Sequence, residues 1–228
     1  MSPSRETAAA IEAFEPSGRA LVVVDVDEVV LRFVAPFERF LEARGFRLAP
    51  ISYAITGNVM RAGSRQPIPA ADVHALIDAF FAAEAGRQEP VEGAVEALSR
   101  LEASADVVIL TNIPHVHAPL RSARLAELGV GAPLISNEGP KGPALARLAA
   151  RAVERCGRAV PMWFVDDGPT NLVSARDHLA DVRLVHFVDD ARFFHMVPDV
   201  AGTRLKTRDW GEVVARITAD LDGEDTRR

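Results

Sequence analysis

Two aspartates that stand two residues apart, Asp25 and Asp27, follow directly on the apolar run LVVV at residues 21–24. An uninterrupted apolar run of this kind is typical of a strand covered on both faces, as in a parallel sheet. Ionised carboxylates are costly to bury without partners, and ligands of open α/β sheets bind beyond the carboxyl ends of the strands. We therefore interpret Asp25 and Asp27 as candidate functional residues.

Other polar residues suited to phosphate chemistry also follow apolar runs or precede helices. They are Thr111 and Asn112 after the run at 106–110, Lys141 before a predicted helix, and Asp166, Asp167 and Asn171 after the run at 160–165. If these strands are parallel neighbours, all of these groups converge with the first aspartate pair on one crevice.

Several carboxylates in one crevice need a compensating cation. Two carboxylates about 4 Å apart repel by roughly 4 kcal/mol at an effective dielectric constant near 20. Mg²⁺ suits such a site because it prefers oxygen ligands from carboxylates, water and phosphate. The sequence has no His/Cys cluster at the spacing of a zinc site, which argues against Zn²⁺. Lys141, one of two lysines among 26 basic residues, would bring a second positive charge to the phosphate.

The elements that must position these residues alternate along the chain. Apolar runs predict strands at 21–24, 106–110, 132–136, 160–165 and 182–188. Helical periodicity or a favourable first turn predicts helices at 90–103, 143–153, 169–179 and 210–221. Strands that alternate with helices predict an α/β fold with a parallel, helix-covered sheet.

Residues 32–89 interrupt this alternation. They contain no convincing strand but two helical apolar stripes, one from Phe33 to Leu41 and one from Val73 to Phe81. The polar stretch between the stripes, with its Gly and Pro breaks, predicts a loop or a short helix. We therefore expect a core domain of residues 1–31 and 90–228, with 32–89 as a helical insertion.

Composition narrows the function classes. The chain has 228 residues, a formal net charge of −6 and a single cysteine, Cys156. These values give no electrostatic case for nucleic acid as a partner, and a lone cysteine fits a reducing cytoplasm. The sequence also has no apolar stretch of membrane-spanning length and no signal-peptide pattern. We expect a cytoplasmic protein that acts on a small molecule, without a nucleic-acid or membrane partner. The sequence does not indicate the oligomeric state.

The order of these motifs resembles the haloacid dehalogenase superfamily. Asp-x-Asp after the first strand, Thr after a second strand, Lys before a helix and then Asp-Asp occur in this sequence over residues 18 to 190. The resemblance implies a Rossmann-like core with a helical cap inserted just after the first motif, which is where residues 32–89 fall.

The resemblance also implies catalytic roles. Asp25 would be the nucleophile that forms an aspartyl phosphate, and Asp27 would protonate the leaving oxygen and later activate water. Thr111 and the amide of Asn112 would bind phosphate oxygens. Lys141 would neutralise the nucleophile and the transferring group.

The same resemblance implies a Mg²⁺ site. Its ligands would be the side chains of Asp25 and Asp167 and the backbone carbonyl of Asp27. Asp166 and Asn171 would support these ligands without binding the metal directly. Together these roles predict a Mg²⁺-dependent phosphomonoester hydrolase that acts on a small phosphorylated metabolite.

Two residues depart from the family pattern. Glu28 and Val29 stand where the family usually has Gly or Ser followed by Thr. They leave open the alternative that the protein is a non-catalytic relative with a binding or regulatory function. A receiver-type phospho-accepting module is disfavoured, because no acceptor aspartate follows a strand between Asp25 and Thr111.

Two other branches of the family fit less well. Its dehalogenases lack an acid at the position of Asp27, and its phosphonatases use a cap lysine, whereas residues 32–89 contain none.

Overall fold

The computed structural model describes residues 2–225 and has a parallel sheet at its centre. The strands in this range are β1 (Ala20–Val24), β2 (Phe46–Leu48), β3 (Val59–Arg61), β4 (Ala105–Thr111), β5 (Leu134–Ser136), β6 (Met162–Asp166), β7 (Arg183–Phe187) and β8 (Thr203–Thr207). Six of them form one parallel sheet in the order β5-β4-β1-β6-β7-β8. The predicted α/β class, a Rossmann-like parallel sheet covered by helices, is confirmed.

Helices cover both faces of this sheet. The helices of the described residues are α1 (Arg5–Ala13), α2 (Val34–Glu42), α3 (Ala70–Glu84), α4 (Ala94–Glu102), α5 (Ala118–Glu127), α6 (Gly142–Cys156), α7 (Pro169–His178), α8 (Ala191–Phe194) and α9 (Trp210–Asp225). Of these, α4 and α9 cover one face of the sheet and α1, α6 and α7 cover the other, whereas α2 and α3 belong to the segment 32–89. None of the helices in the described part of the chain combines the length and the apolar character that crossing a bilayer requires.

Strand β1 is buried on both faces. Val22 and Val24 belong to the apolar cluster formed with α4 and α9, whereas Leu21 and Val23 belong to the opposite cluster, formed with α1, α6 and α7. Because successive side chains of a strand point to opposite faces, a strand between two helical layers needs apolar residues at every position. This explains the uninterrupted run that precedes Asp25.

The strands that carry the motifs are direct neighbours. In the parallel register, Val24 of β1 pairs with Ile109 of β4 on one side and with Val165 of β6 on the other. The three strands therefore end at the same edge of the sheet, as the sequence predicts.

The segment 32–89 contains the two expected helices, α2 and α3. It also contains an antiparallel hairpin of β2 and β3, in which Leu48 pairs with Val59, so the expectation of no strand there was wrong. Each strand has only three residues, too few to establish a period-2 pattern in the sequence.

An aromatic cluster joins this segment to the sheet edge. Rings of Phe33 and Phe37 lie 5.1 Å apart, and Phe80 contacts Phe33 edge-on at 5.3 Å. The same apolar cluster includes Ile113, after β4, and Val188, after β7. The segment thus packs directly against the loops that follow the carboxyl ends of the strands.

Strand β8 was missed by the sequence analysis. Its residues TRLKT carry two positive charges, and it lies at the edge of the sheet, paired only with β7 among the described strands. An edge strand has one side open to solvent and needs no continuous apolar run.

Candidate active site

Asp25 is the first residue after β1, and a tight turn holds it in place. Its amide donates to the carbonyl of Val165 at 2.9 Å, and its Oδ1 accepts from the amide of Val26 at 2.7 Å. The amides of Val30 and Leu31 both donate to the carbonyl of Val26 at 2.8 Å. The backbone around Asp25 is therefore fixed from both sides of the strand end.

Lys141 lies directly before α6 and is fully buried between two carboxylates. Its Nζ is 2.6 Å from Oδ1 of Asp25 and 2.7 Å from Oδ2 of Asp166. Burial by itself lowers the pKa of Lys141, but the charges of Asp166 and Asp25 more than offset this and raise it above its usual value. Lys141 therefore stays protonated beside the candidate nucleophile.

Asp25, Asp166 and Asp167 form an acidic group, which we call the acidic triad. Each offers a carboxylate oxygen, and these oxygens lie within 4.8 Å of one another. Burial, followed by repulsion from Asp166 and Asp27, raises the pKa of Asp25 to about 7 despite Lys141. Burial and the charges of Asp166 and Asp25 also raise the pKa of Asp167. The raised pKa values mean that Lys141 alone does not offset the ionisation of all three carboxylates, which fits a site for a further cation.

Asp166 is more central than the sequence analysis implied. It ends β6, and besides Lys141 its carboxylate accepts from the amide of Gly168 at 2.8 Å and from Nδ2 of Asn171 at 3.1 Å. Its oxygens also belong to the acidic triad, together with those of Asp167. The side chain of Asp27, in contrast, lies outside the triad.

Thr111 and Asn112 stand at the end of the neighbouring strand. Oγ1 of Thr111 is buried and has no hydrogen-bond partner among residues 2–225. The side chain of Asn112 donates to the carbonyl of Gly139 at 3.0 Å and accepts from Asn137 at 2.8 Å. A buried hydroxyl without a partner is costly, so Oγ1 of Thr111 is suited to a ligand oxygen.

Asp27 is held by two residues that the sequence analysis missed, Arg121 and Gln88. Nη2 of the fully buried Arg121 is 3.1 Å from Oδ1 of Asp27 and 2.7 Å from Oε1 of Gln88. Nε2 of Gln88 approaches the same Oδ1 at 3.3 Å. Arg121 lies on α5 and Gln88 at the end of the segment 32–89, and neither belongs to one of the motifs. No local pattern could have identified them.

The departures at Glu28 and Val29 have structural explanations. Glu28 has a φ of +61°, in the left-handed region that favours glycine. Its Oε1 accepts from the backbone amides of Phe33 and Val34 at 2.8 and 2.6 Å, and its Oε2 accepts from the backbone amide of Asp190 at 3.2 Å. Val29 is fully buried in the apolar cluster that lines one face of the sheet.

A first prediction follows from the burial of Glu28, which raises its pKa to about 7 from an ordinary 4.5. The folded state then binds the proton more tightly than the unfolded state, so stability is lost as the pH rises through this window. Relative to Glu28→Gln, the wild type should lose up to about 3 kcal/mol of unfolding free energy between pH 4.5 and 8.

Urea denaturation of both proteins across this pH range measures the difference. Because the other titrating groups are common to both proteins, their contributions largely cancel. A difference that stays constant between pH 4.5 and 8 would contradict the assignment.

A cavity of about 430 Å³ opens beside these residues. Asp27, Glu28, Asn112 and Asp167 contribute to its wall. The remainder of the wall comes from the segment 32–89 and from the loops after β6 and β7. The predicted site residues therefore converge on one crevice, and this crevice continues into a half-open cavity.

Comparison with known proteins identifies the fold. No protein-family model and no curated protein matches the chain. Among solved structures, a haloacid dehalogenase-like hydrolase from Streptococcus pneumoniae is 13% identical with a TM-score of 0.55, and the match covers 88% of this chain and 99% of that one. A HAD family hydrolase from Deinococcus radiodurans, with bound phosphate and sodium, is 19% identical with a TM-score of 0.56, covering 88% and 96%.

A defluorinating L-2-haloacid dehalogenase is also similar, at 12% identity with a TM-score of 0.54, covering 89% of this chain and 98% of that one. The chain therefore has the fold of the haloacid dehalogenase superfamily, as the order of its motifs implies. Proteins with this fold include haloacid dehalogenases, so the reaction has to be argued from the site.

Proposed function

We propose that the protein is a Mg²⁺-dependent phosphomonoester hydrolase that acts through an aspartyl-phosphate intermediate. The observation that carries the proposal is the buried contact of Asp25 with Lys141 beside the acidic triad. This arrangement brings together a carboxylate nucleophile, a cation for the transferring phosphoryl group and a site for a metal ion. The unpartnered Oγ1 of Thr111 supports the proposal as a donor to a phosphate oxygen.

The residues present fit a magnesium ion. Asp25 and Asp167 would hold it by their carboxylates and Asp27 by its backbone carbonyl. Asp166 would orient the triad through Lys141 and Asn171. A bound Mg²⁺ would offset the negative charge of the phosphate and of the triad.

In the first half-reaction, a carboxylate oxygen of Asp25 attacks the phosphorus atom. The bond between this oxygen and phosphorus forms as the bond from phosphorus to the leaving oxygen breaks. Asp27 donates its proton to the leaving oxygen, which departs as an alcohol. Lys141 and Thr111 stabilise the charge on the transferring group.

In the second half-reaction, water attacks the phosphorus atom of the aspartyl phosphate. Asp27, now ionised, accepts a proton from this water. The bond between phosphorus and Asp25 breaks, and inorganic phosphate leaves. The net reaction converts a phosphomonoester and water into an alcohol and phosphate, and both aspartates return to their starting states.

Asp27 favours ester hydrolysis over dehalogenation. An alkoxide leaving group needs a proton, whereas a halide departs without one. The contacts of Arg121 and Gln88 go to Oδ1 of Asp27, and the same side chain lines the cavity. The structural roles of Glu28 and Val29 also weaken the case for a non-catalytic relative, because they account for the two departures that motivate it.

Phosphate release tests the proposal. The wild type with Mg²⁺ should hydrolyse members of a panel of sugar phosphates, nucleotides and alkyl and aryl phosphates, and EDTA should abolish the activity. Asp25→Asn, which retains size and shape, should reduce turnover to background. If the wild type releases no more phosphate than Asp25→Asn on every substrate, the proposal is wrong.

A second measurement tests the metal site without relying on activity. Mg²⁺ at 100 times its dissociation constant should stabilise the wild type by about 2.7 kcal/mol. Asp167→Asn removes one carboxylate from the triad, so the variant should lose this stabilisation. Without metal it should be as stable as the wild type or more stable, because the repulsion within the triad is relieved. An equal Mg²⁺-dependent shift in melting temperature for both proteins would exclude Asp167 as a ligand.

A further inference from the structure

The wall of the cavity beside Asp27 is largely apolar. Its apolar residues include Phe33, Ile55, Ile77, Phe81, Phe193 and Val197. They come from the segment 32–89 and from the region that follows β7. This wall is continuous with the crevice that contains the candidate catalytic residues, because Asp27, Asn112 and Asp167 line the same cavity. A phosphoryl group placed at Asp25 would therefore have its leaving group directed towards an apolar space.

The charged residues that line the cavity are all acidic. Among the described residues that line it, Asp27, Glu28 and Asp167 are ionisable acids, and none is Lys, Arg or His. The buried Arg121 lies over the ring of Phe81 but is engaged with Asp27 and Gln88, and the buried Lys141 is engaged with Asp25 and Asp166. A leaving group that carries a carboxylate or a second phosphate would find no partner there.

The polar groups of the segment 32–89 are mostly used elsewhere. Asn58 is fully buried and binds the carbonyls of Ser52 and Ala54. Arg61 lies over the ring of Phe46 and does not line the cavity. Tyr53 does line it. Sugar hydroxyls would meet mainly apolar side chains on this wall, and a hydroxyl buried there without a partner is costly.

From this geometry we infer that the substrate is a phosphomonoester with an uncharged, predominantly apolar leaving group. The inference rests on the proposed phosphatase activity and specifies the substrate class of the same site. Burial of such a group against the apolar wall should raise kcat/KM roughly 10- to 100-fold over a polyhydroxylated group.

The test compares esters of primary alcohols, so that the acidity of the leaving group changes little along the series. Phosphate release is measured for 2-phenylethyl phosphate, hexyl phosphate, glycerol 3-phosphate, glucose 6-phosphate and phosphoglycolate. The first two should have kcat/KM at least 10-fold above that of glucose 6-phosphate. Phosphoglycolate, whose leaving group carries a carboxylate, should be the poorest.

A variant pair tests whether the cavity causes the selectivity. Ile77→Arg places a cation in the wall, and it should lower kcat/KM for 2-phenylethyl phosphate while raising it for phosphoglycolate. Ala75→Arg adds the same charge at an exposed position of the same helix, away from the cavity, and should leave both values unchanged. If Ile77→Arg does not fold, as judged by circular dichroism, Ile55→Arg introduces the charge from a different element.

The outcomes separate the inference from the proposed function. If no ester is hydrolysed faster than by Asp25→Asn, the phosphatase proposal itself fails. If hydrolysis occurs but glucose 6-phosphate or phosphoglycolate equals or exceeds the apolar esters, the phosphatase stands and the inferred substrate class is wrong. A folded wall variant that leaves the ratio of 2-phenylethyl phosphate to phosphoglycolate unchanged also overturns the inference.

Discussion

Replacement of Asp27 by Asn is expected to lower kcat for an alkyl phosphomonoester by roughly 10²- to 10⁴-fold, the usual contribution of a general acid and base. The asparagine keeps the shape of the side chain and still offers an oxygen to Arg121. It cannot donate a carboxylic proton to the leaving oxygen or accept one from water. The loss should therefore appear in kcat more than in KM.

Substrates whose leaving groups differ in acidity distinguish a loss of proton transfer in Asp27→Asn from a structural effect of the substitution. p-Nitrophenolate is a stable anion and needs little protonation as it leaves, whereas an alkoxide needs a full proton. In single-turnover measurements of the first half-reaction, Asp27→Asn should be much less impaired with p-nitrophenyl phosphate than with hexyl phosphate. An equal loss on both substrates would argue against Asp27 as the general acid.

Two variants control for this experiment. Asp199→Asn makes the same chemical change at a carboxylate that is 92% exposed, and it should leave turnover unchanged. Arg121→Met keeps the acid but removes its buried partner, so it tests positioning. We expect this variant to lower kcat while preserving the wild-type dependence on leaving-group acidity, because the proton donor itself remains.

Replacement of Lys141 by Met is expected to destabilise the protein by about 3–5 kcal/mol in EDTA. The reason is that Asp25 and Asp166 would remain buried without their shared cation, while the apolar part of the side chain is largely retained. Chemical denaturation measures this change. Turnover should also fall by at least roughly 10²-fold, since Lys141 stabilises charge on the transferring group.

The other lysine of the chain provides a matched control. Lys206 is partly exposed and pairs with the exposed Asp199, and such surface pairs contribute at most about 1 kcal/mol. Lys206→Met should therefore change stability little and leave turnover intact. If Lys141→Met and Lys206→Met show equal stability, the ion pairs of Lys141 do not contribute to folding as the geometry implies.

Local sequence was sufficient for the elements that carry the motifs. The run before Asp25 is apolar at every position because its strand is buried on both faces, and Lys141 and Asp167 stand at the ends of similarly recognisable elements. Sequence did not predict the hairpin of β2 and β3 or the edge strand β8. Both are short or polar, and tertiary pairing rather than a residue pattern stabilises them.

The same distinction applies to the site. By itself, the sequence determined which residue types follow β1, β4 and β6, because strand burial and the turn at each strand end are local properties. Only the tertiary structure decided that Arg121 and Gln88 hold Asp27, and that Glu28 binds the amides at the start of α2. It likewise decided that the cavity wall facing Asp27 is largely apolar, with no Lys, Arg or His among the described residues that line it. The contacts of Gln88 and Arg121 with Asp27 join residues 61 and 94 positions apart, so packing selects them and no local sequence pattern indicates them.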